Sequence, residues 1–95
     1  MVWENNVVIS GKIHFLKGHQ SEGETGTGKY MQFAVRQDSE WEGGTRRDFL
    51  TVRAYDEALR GLILAKKTGD DVTVEGTLRS SRGSGVNYVR CLSIK

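Results

Sequence analysis

The sequence contains no proline, one cysteine and two histidines. Without proline there is no proline-rich, semi-rigid linker. The lone thiol, Cys91, excludes an intramolecular disulfide and fits a reducing cytoplasm. His14 and His19 stand five apart with only that one cysteine, so no zinc-ligand set is present. No apolar run approaches the roughly 20 residues of a membrane-spanning helix, so no membrane partner is expected. The start, Met1-Val2-Trp3-Glu4-Asn5-Asn6, lacks the basic and apolar segments of a signal peptide. Charge of one sign is also scarce. Fourteen Lys and Arg against 12 Asp and Glu leave a net +2, which permits a polyanionic partner without demanding one.

What is present is a pattern of short alternating runs. The 95 residues make one domain, and the small core such a length allows makes homo-oligomerisation a live possibility. In residues 7–16, Val7, Ile9, Ile13 and Phe15 alternate with Val8, Ser10, Lys12 and His14, and Gly11 marks a bulge or bend. Residues 17–29 are glycine-rich without an apolar residue and read as a loop. Residues 30–36 alternate again, with Met31, Phe33 and Val35 inward and Tyr30, Gln32, Ala34 and Arg36 outward. Residues 37–46 read as a second polar loop carrying Trp41. The third predicted strand, 47–55, points Leu50, Val52 and Ala54 inward. A helix fits residues 57–67, with Asp56 as N-cap, Leu59, Leu62 and Ile63 at helical spacing, and Gly69 as the stop. Two more strands follow at 71–79 and 86–94. Val72, Val74 and Leu78 face inward in the first of them, with Gly76 at a bend. The facing of the last strand is ambiguous without a bulge. Three strands, a helix and two strands is the order of an all-β, five-stranded OB-fold barrel with one short helix between strands 3 and 4.

The outward set of the third predicted strand is Phe49, Thr51, Arg53 and Tyr55. Aromatics interleaved with a cation suit single-stranded nucleic acid: rings stack on bases and cations follow phosphates. Lys12, Arg36, Arg47, Arg79 and Arg82, with Lys29 and Arg46, are the candidate phosphate contacts, although any one of them reads more simply as a solvated charge. Trp41, in a polar loop without apolar neighbours, is a further candidate ligand contact, whereas Trp3 reads as packing or contact surface. The outward Val8 and Ser10 offer a place for a second subunit. One motif misleads. Gly23-Glu24-Thr25-Gly26-Thr27-Gly28-Lys29 matches most of a phosphate-binding P-loop. However, Tyr30 stands where Ser or Thr should hold magnesium, and strand-like alternation follows where a helix is needed. The acidic residues Asp38, Glu40 and Glu42 cluster in a polar segment where solvation explains them. No enzymatic activity, cofactor or small-molecule substrate is expected.

Three segments carry a family resemblance. Asn6-Val7-Val8-Ile9-Ser10-Gly11-Lys12-Ile13, Arg47-Asp48-Phe49-Leu50-Thr51-Val52, and Lys66-Lys67-Thr68-Gly69-Asp70-Asp71-Val72-Thr73-Val74-Glu75-Gly76-Thr77-Leu78-Arg79 resemble the bacterial single-stranded DNA-binding proteins. The resemblance spans nearly the whole chain. It implies an OB barrel assembled as a tetramer or dimer and stacking single-stranded DNA in replication, recombination or repair, with RNA as a possible second ligand. It places stacking positions on Trp41, Phe49 and Tyr55, and a fourth, usually aromatic, near Arg82. The family's glycine-rich tail with an acidic end has no counterpart before Lys95, which fits a shortened or a short member. Primosomal replication protein N is a similar OB dimer. It implies the alternative, an interaction module whose aromatic face contacts protein.

Overall fold

Period-2 alternation builds strands whose apolar sides meet around one core. The computed structural model describes residues 3–15, 21–25 and 28–95. Among these, the elements are β1 (Val7–His14), β2 (Ser21–Thr25), β3 (Gly28–Trp41), β4 (Gly44–Ala54), α1 (Glu57–Leu64), β5 (Asp71–Ser80) and β6 (Asn87–Ile94). The strands β1, β5, β6, β4 and β3 pair in that order, and β3 pairs back onto β1. The ring is therefore closed, and closure leaves the ring itself without a free edge, while β2 stays outside it. This is the five-stranded OB barrel, with α1 between its third and fourth strands.

Ring closure depends on β1 serving two partners. It pairs with β5 over residues 7–12 and with β3 over residues 12–14. Gly11 lies at the crossing, where a Cβ would collide with the Arg36 carbonyl of β3. The core takes Ile13 from β1, Met31, Phe33 and Val35 from β3, Val52 and Ala54 from β4, Val72 and Val74 from β5, and Val89, Cys91 and Ile94 from β6. Ile63 of α1 is fully buried among them.

The ambiguity in the last strand has a physical resolution. Gly76 of β5 pairs with Cys91 and Glu75 pairs with Ser93, which leaves Leu92 as an unpaired bulge. The extra residue brings both Cys91 and Ile94 to the core and turns Leu92 out to solvent. Burial pushes the Cys91 thiol up to about 11. The neutral thiol then predominates at pH 8, so its alkylation is expected to run on the order of 100-fold slower in the folded protein than in denaturant. A time course with iodoacetamide under both conditions checks this, and equal rates would mean that Cys91 is not held in the core.

Several expectations need correction. Residues 37–46 are not a loop: β3 and β4 run on as a two-stranded ribbon to the pair Trp41–Gly44. Residues 21–25 are likewise a strand, paired with β3 outside the ring, so part of the expected 17–29 loop is a hairpin arm. Residues 16–20 and 26–27 of the predicted first strand, loop and P-loop-like motif lie outside the described residues. The described parts of that motif belong to β2 and β3, with no helix after it. The helix stops at Leu64 rather than at residue 67. Beyond it, Gly69 donates to the Ile13 carbonyl and Ile13 donates to that of Asp70, tying the chain to β1 instead. Asp56 does cap the helix, accepting from the Ala58 amide at 2.8 Å. Leu62 faces solvent rather than the core. Leu78 keeps the core-facing phase of β5 but is exposed, because it lies past the last β1–β5 pair. The Asn5 carboxamide clasps the Leu78 backbone there, donating to its carbonyl and accepting from its amide, both at 2.8 Å.

Candidate nucleic-acid interface

Residues opposite each other in an antiparallel ladder share a face. The register of β1, β3 and β4 therefore aligns Lys12 with Arg36 and Phe49, and His14 with Ala34 and Thr51, on the outside of the barrel. The next outward row runs from Gln32 through Arg53 to Arg90 of β6. Phe49 is half exposed. Its ring lies 5.0 Å from that of His14, tilted by 59°. Beside them opens a hollow of about 340 Å³, lined by His14, Gln32, Phe33, Ala34, Phe49 and Thr51.

The other end of the face is a packed aromatic–cation cluster. The Arg53 guanidinium lies 4.7 Å from the Tyr30 ring centroid and 4.4 Å from that of Tyr88. Its Nε donates to Gln32 Oε1 at 2.9 Å. Tyr55 lies 5.5 Å from Tyr30, and Arg90 sits 5.3 Å over the Tyr55 ring. The Tyr88 phenol is held above its ordinary range, first by its hydrogen bond with Tyr55, then by burial and by the Tyr55 charge, against the pull of Arg53 and Arg79. Such cation–ring contacts contribute about 0.5–1 kcal/mol each at exposed sites and more when desolvated. Arg53 thus lies over two rings, and Tyr55 belongs to the same cluster through its tilted contact with Tyr30.

The expected cations do not form an uninterrupted stripe. Lys12 pairs with Asp71 at 2.6 Å, and Arg47 with Asp38 at 2.9 Å. Arg36 lies 3.5 Å from the same Asp38, and Arg46 pairs with Asp48 at 3.1 Å. Pairs this exposed stabilise the fold by about 0–1 kcal/mol and are easily exchanged. Arg79 stands on β5 opposite Tyr88, and Arg82 is exposed in the turn before β6. Both are remote in register from Phe49. Nothing is described for the side chain of Lys29.

Trp41 occupies a different surface. Its ladder partner is Gly44, so it shares the core-facing phase of the ribbon with Gln37, Ser39, Arg46 and Asp48. Phe49 and Arg53 belong to the opposite phase. The indole folds over Gly43 in the turn and remains 56% exposed.

Sequence reasoning passed over His14, Tyr30, Tyr88 and Arg90. The alternation already turned His14 and Tyr30 outward, so that signal was available. Tyr88 and Arg90 were hidden by the bulge at Leu92, which scrambles the facing of β6.

No protein-family model matches the sequence, and no curated protein matches it. Solved structures do. A small single-stranded DNA-binding protein from Streptomyces coelicolor superposes with a TM-score of 0.74 at 17% identity, over 100% of this chain and 94% of that one. The second single-stranded DNA-binding protein of Mycobacterium smegmatis gives 0.71 at 20% identity, over 98% and 88%. A Plasmodium falciparum single-stranded DNA-binding protein, solved in complex with single-stranded DNA, gives 0.73 at 15%, over 100% and 94%. At these identities the likeness speaks for architecture, and it agrees with the strand order: the chain is an OB-fold barrel.

Proposed function

We propose that this chain is a single-stranded DNA-binding protein of the small bacterial type. It binds without sequence preference and without catalysis. The observation that carries this reading is the outer face of β3 and β4, where the half-exposed Phe49 and the Tyr30–Arg53–Tyr88 stack line one continuous surface. Bases stack on such rings whatever their identity, because every base has a π-face. The likeness to solved single-stranded DNA-binding proteins supports the same ligand. Phosphate contacts come from Arg36 and Arg47 by exchange of their carboxylate partners, and from Arg79 and Arg82 where the strand continues. A role in replication, recombination or repair follows from the ligand.

Self-association uses a separate surface. Val8 of β1 and Leu92 of β6 are exposed by 66% and 60% and flank Glu75 of β5. A dimer or tetramer that covers them buries apolar area otherwise left in water. Among the described residues no helix is long and apolar enough to cross a membrane.

Fluorescence anisotropy of labelled oligo-dT, with duplex DNA and oligo-U as controls and salt as the variable, tests the reading. The expected result is binding of oligo-dT, little binding of duplex, and affinity that falls as salt releases the phosphate contacts. Oligo-U binding as strongly as oligo-dT would extend the ligand to RNA. No binding of any single strand at low salt would overturn the reading in favour of a protein-contact module.

A further inference from the structure

We propose that the solvent side of α1 is a contact surface for α1 of a second copy of this chain, the two helices pairing antiparallel about a two-fold axis. The contact does not depend on the ligand proposed above. The helix is apolar on both sides. Leu59 and Ile63 turn to the core, where Ile63 is fully buried. On the other side Ala58, Gly61, Leu62, Leu64 and Ala65 face solvent. Leu62 and Leu64 are 52% and 54% exposed. Between Glu57 and the helix end, Arg60 is the sole charged residue, and it is half-buried. A surface helix ordinarily pairs one apolar side with one polar side, whereas a helix apolar all round is buried all round.

Two features select a second copy as the occupant. The first is charge. Asp56 and Glu57 stand at the start of α1, and Lys66 and Lys67 stand just past its end. An antiparallel pair with its axis between Gly61 and Leu62 sets Glu57 of each copy opposite Lys66 of the other, and Asp56 opposite Lys67. Both ends of the pair are then matched in charge, and the helix dipoles oppose. A parallel pair would set acid on acid and base on base. The second feature is Gly61. Glycine weakens a helix interior, and a Cβ at this position would meet nothing within 4 Å, so no packing inside the chain calls for it. At the centre of a helix pair, a missing side chain lets the axes approach to the short end of the usual range of about 8–10 Å and seats Leu62 of one copy beside Gly61 of the other. With eight residues, α1 is about 12 Å long, so this contact alone belongs to the small, weak class of interfaces. It lies apart from Val8 and Leu92. A dimer formed through those two residues becomes a tetramer through α1 when the two-fold axes close.

Sedimentation velocity of the full chain over a concentration series, beside melting curves of dilute protein, tests this. The wild-type mass is expected to rise with concentration. Leu62→Glu brings two carboxylates together at the axis and is expected to lower the association constant by at least about ten-fold. Gly61→Ala is expected to weaken association several-fold while raising the melting temperature of dilute protein, opposite signs that a purely intrachain role would not produce. Glu57→Lys and Lys66→Glu are each expected to weaken association alone. Mixed in equal amounts, the two variants are expected to recover it, because each then meets an opposite charge at both ends. Should Leu62→Glu fail to fold, the mixing experiment decides. A wild-type mass independent of concentration, wild-type association in a folded Leu62→Glu protein, or a mixture that associates no better than its parts would overturn the contact.

Discussion

Phe49→Ala is expected to weaken oligo-dT binding by between about 5-fold and about 150-fold, the range set by 1–3 kcal/mol for one stacked base. Phe49 is the half-exposed aromatic of the outer face, and its ring contact there is His14. Truncating a ring that is already half in water removes little burial, so the fold is expected to lose about 1 kcal/mol. Tyr55→Ala is expected to behave differently. Tyr55 packs at a tilt against Tyr30, lies under Arg90 and hydrogen bonds Tyr88, so its loss loosens the cluster that orders Arg53. Strand alternation turns both aromatics outward and so treats them alike as removable without harm to the fold. The packing assigns that property to Phe49. Anisotropy titrations beside melting curves separate the two cases. A Phe49→Ala protein that binds like wild type would place the stacking surface elsewhere.

Gly76→Ala is expected to destabilise the barrel by about 3 kcal/mol, the cost of overpacking a site with no slack. Gly76 is buried where β5 meets the β6 bulge, and a Cβ there would overlap the Arg90 carbonyl. The obstruction is backbone, so no side-chain rotation relieves it. For a domain of this size the melting temperature should fall by roughly 12–24 °C. Gly61→Ala is the matched control. Its site in α1 has nothing within 4 Å, so the same added methyl meets no obstacle. Helix propensity then predicts a gain of about 1 kcal/mol. Two glycine-to-alanine changes of opposite sign would show that space, rather than chain entropy, governs Gly76. A Gly76→Ala protein melting with the wild type would contradict the tight β5–β6 approach.

What the sequence revealed and what it concealed divide along the hydrophobic signal. Val7, Ile9, Ile13 and Phe15 line one side of β1 and its continuation, and Phe33 with Val35 does the same in β3, so the barrel strands were legible. The β3–β4 ribbon was not, because from the pair Gln37–Asp48 to the pair Glu40–Thr45 both faces are polar. Gln37, Ser39, Arg46 and Asp48 on one side face Asp38 and Arg47 on the other. Such a ribbon is held by its ladder and by ion pairs, which leave no apolar period to read. Trp41 consequently appeared to sit in a loop, and only the register shows that it and Phe49 lie on opposite faces. For the site, Phe49, Arg53 and Tyr55 followed from alternation alone. Their division into an exposed ring and a packed stack depends on Tyr88 and Arg90, which arrive from β6 through a bulge. The carboxylate partners of the candidate cations were legible only in part: Arg36 with Asp38 and Arg46 with Asp48 stand two apart in one strand, whereas Asp38 reaches Arg47 and Asp71 reaches Lys12 from other strands, which alternation within one strand cannot reveal.

The most direct test is to map the surface that oligo-dT touches by following backbone amide shifts in a ¹⁵N-labelled sample. The largest shifts are expected on Gln32, Ala34, Phe49, Thr51 and Arg53, along the outer faces of β3 and β4. Val8, Glu75 and Leu92, on the far side of the barrel, should stay still. Shifts concentrated on those three residues, with the Phe49 strand unchanged, would contradict the assigned interface.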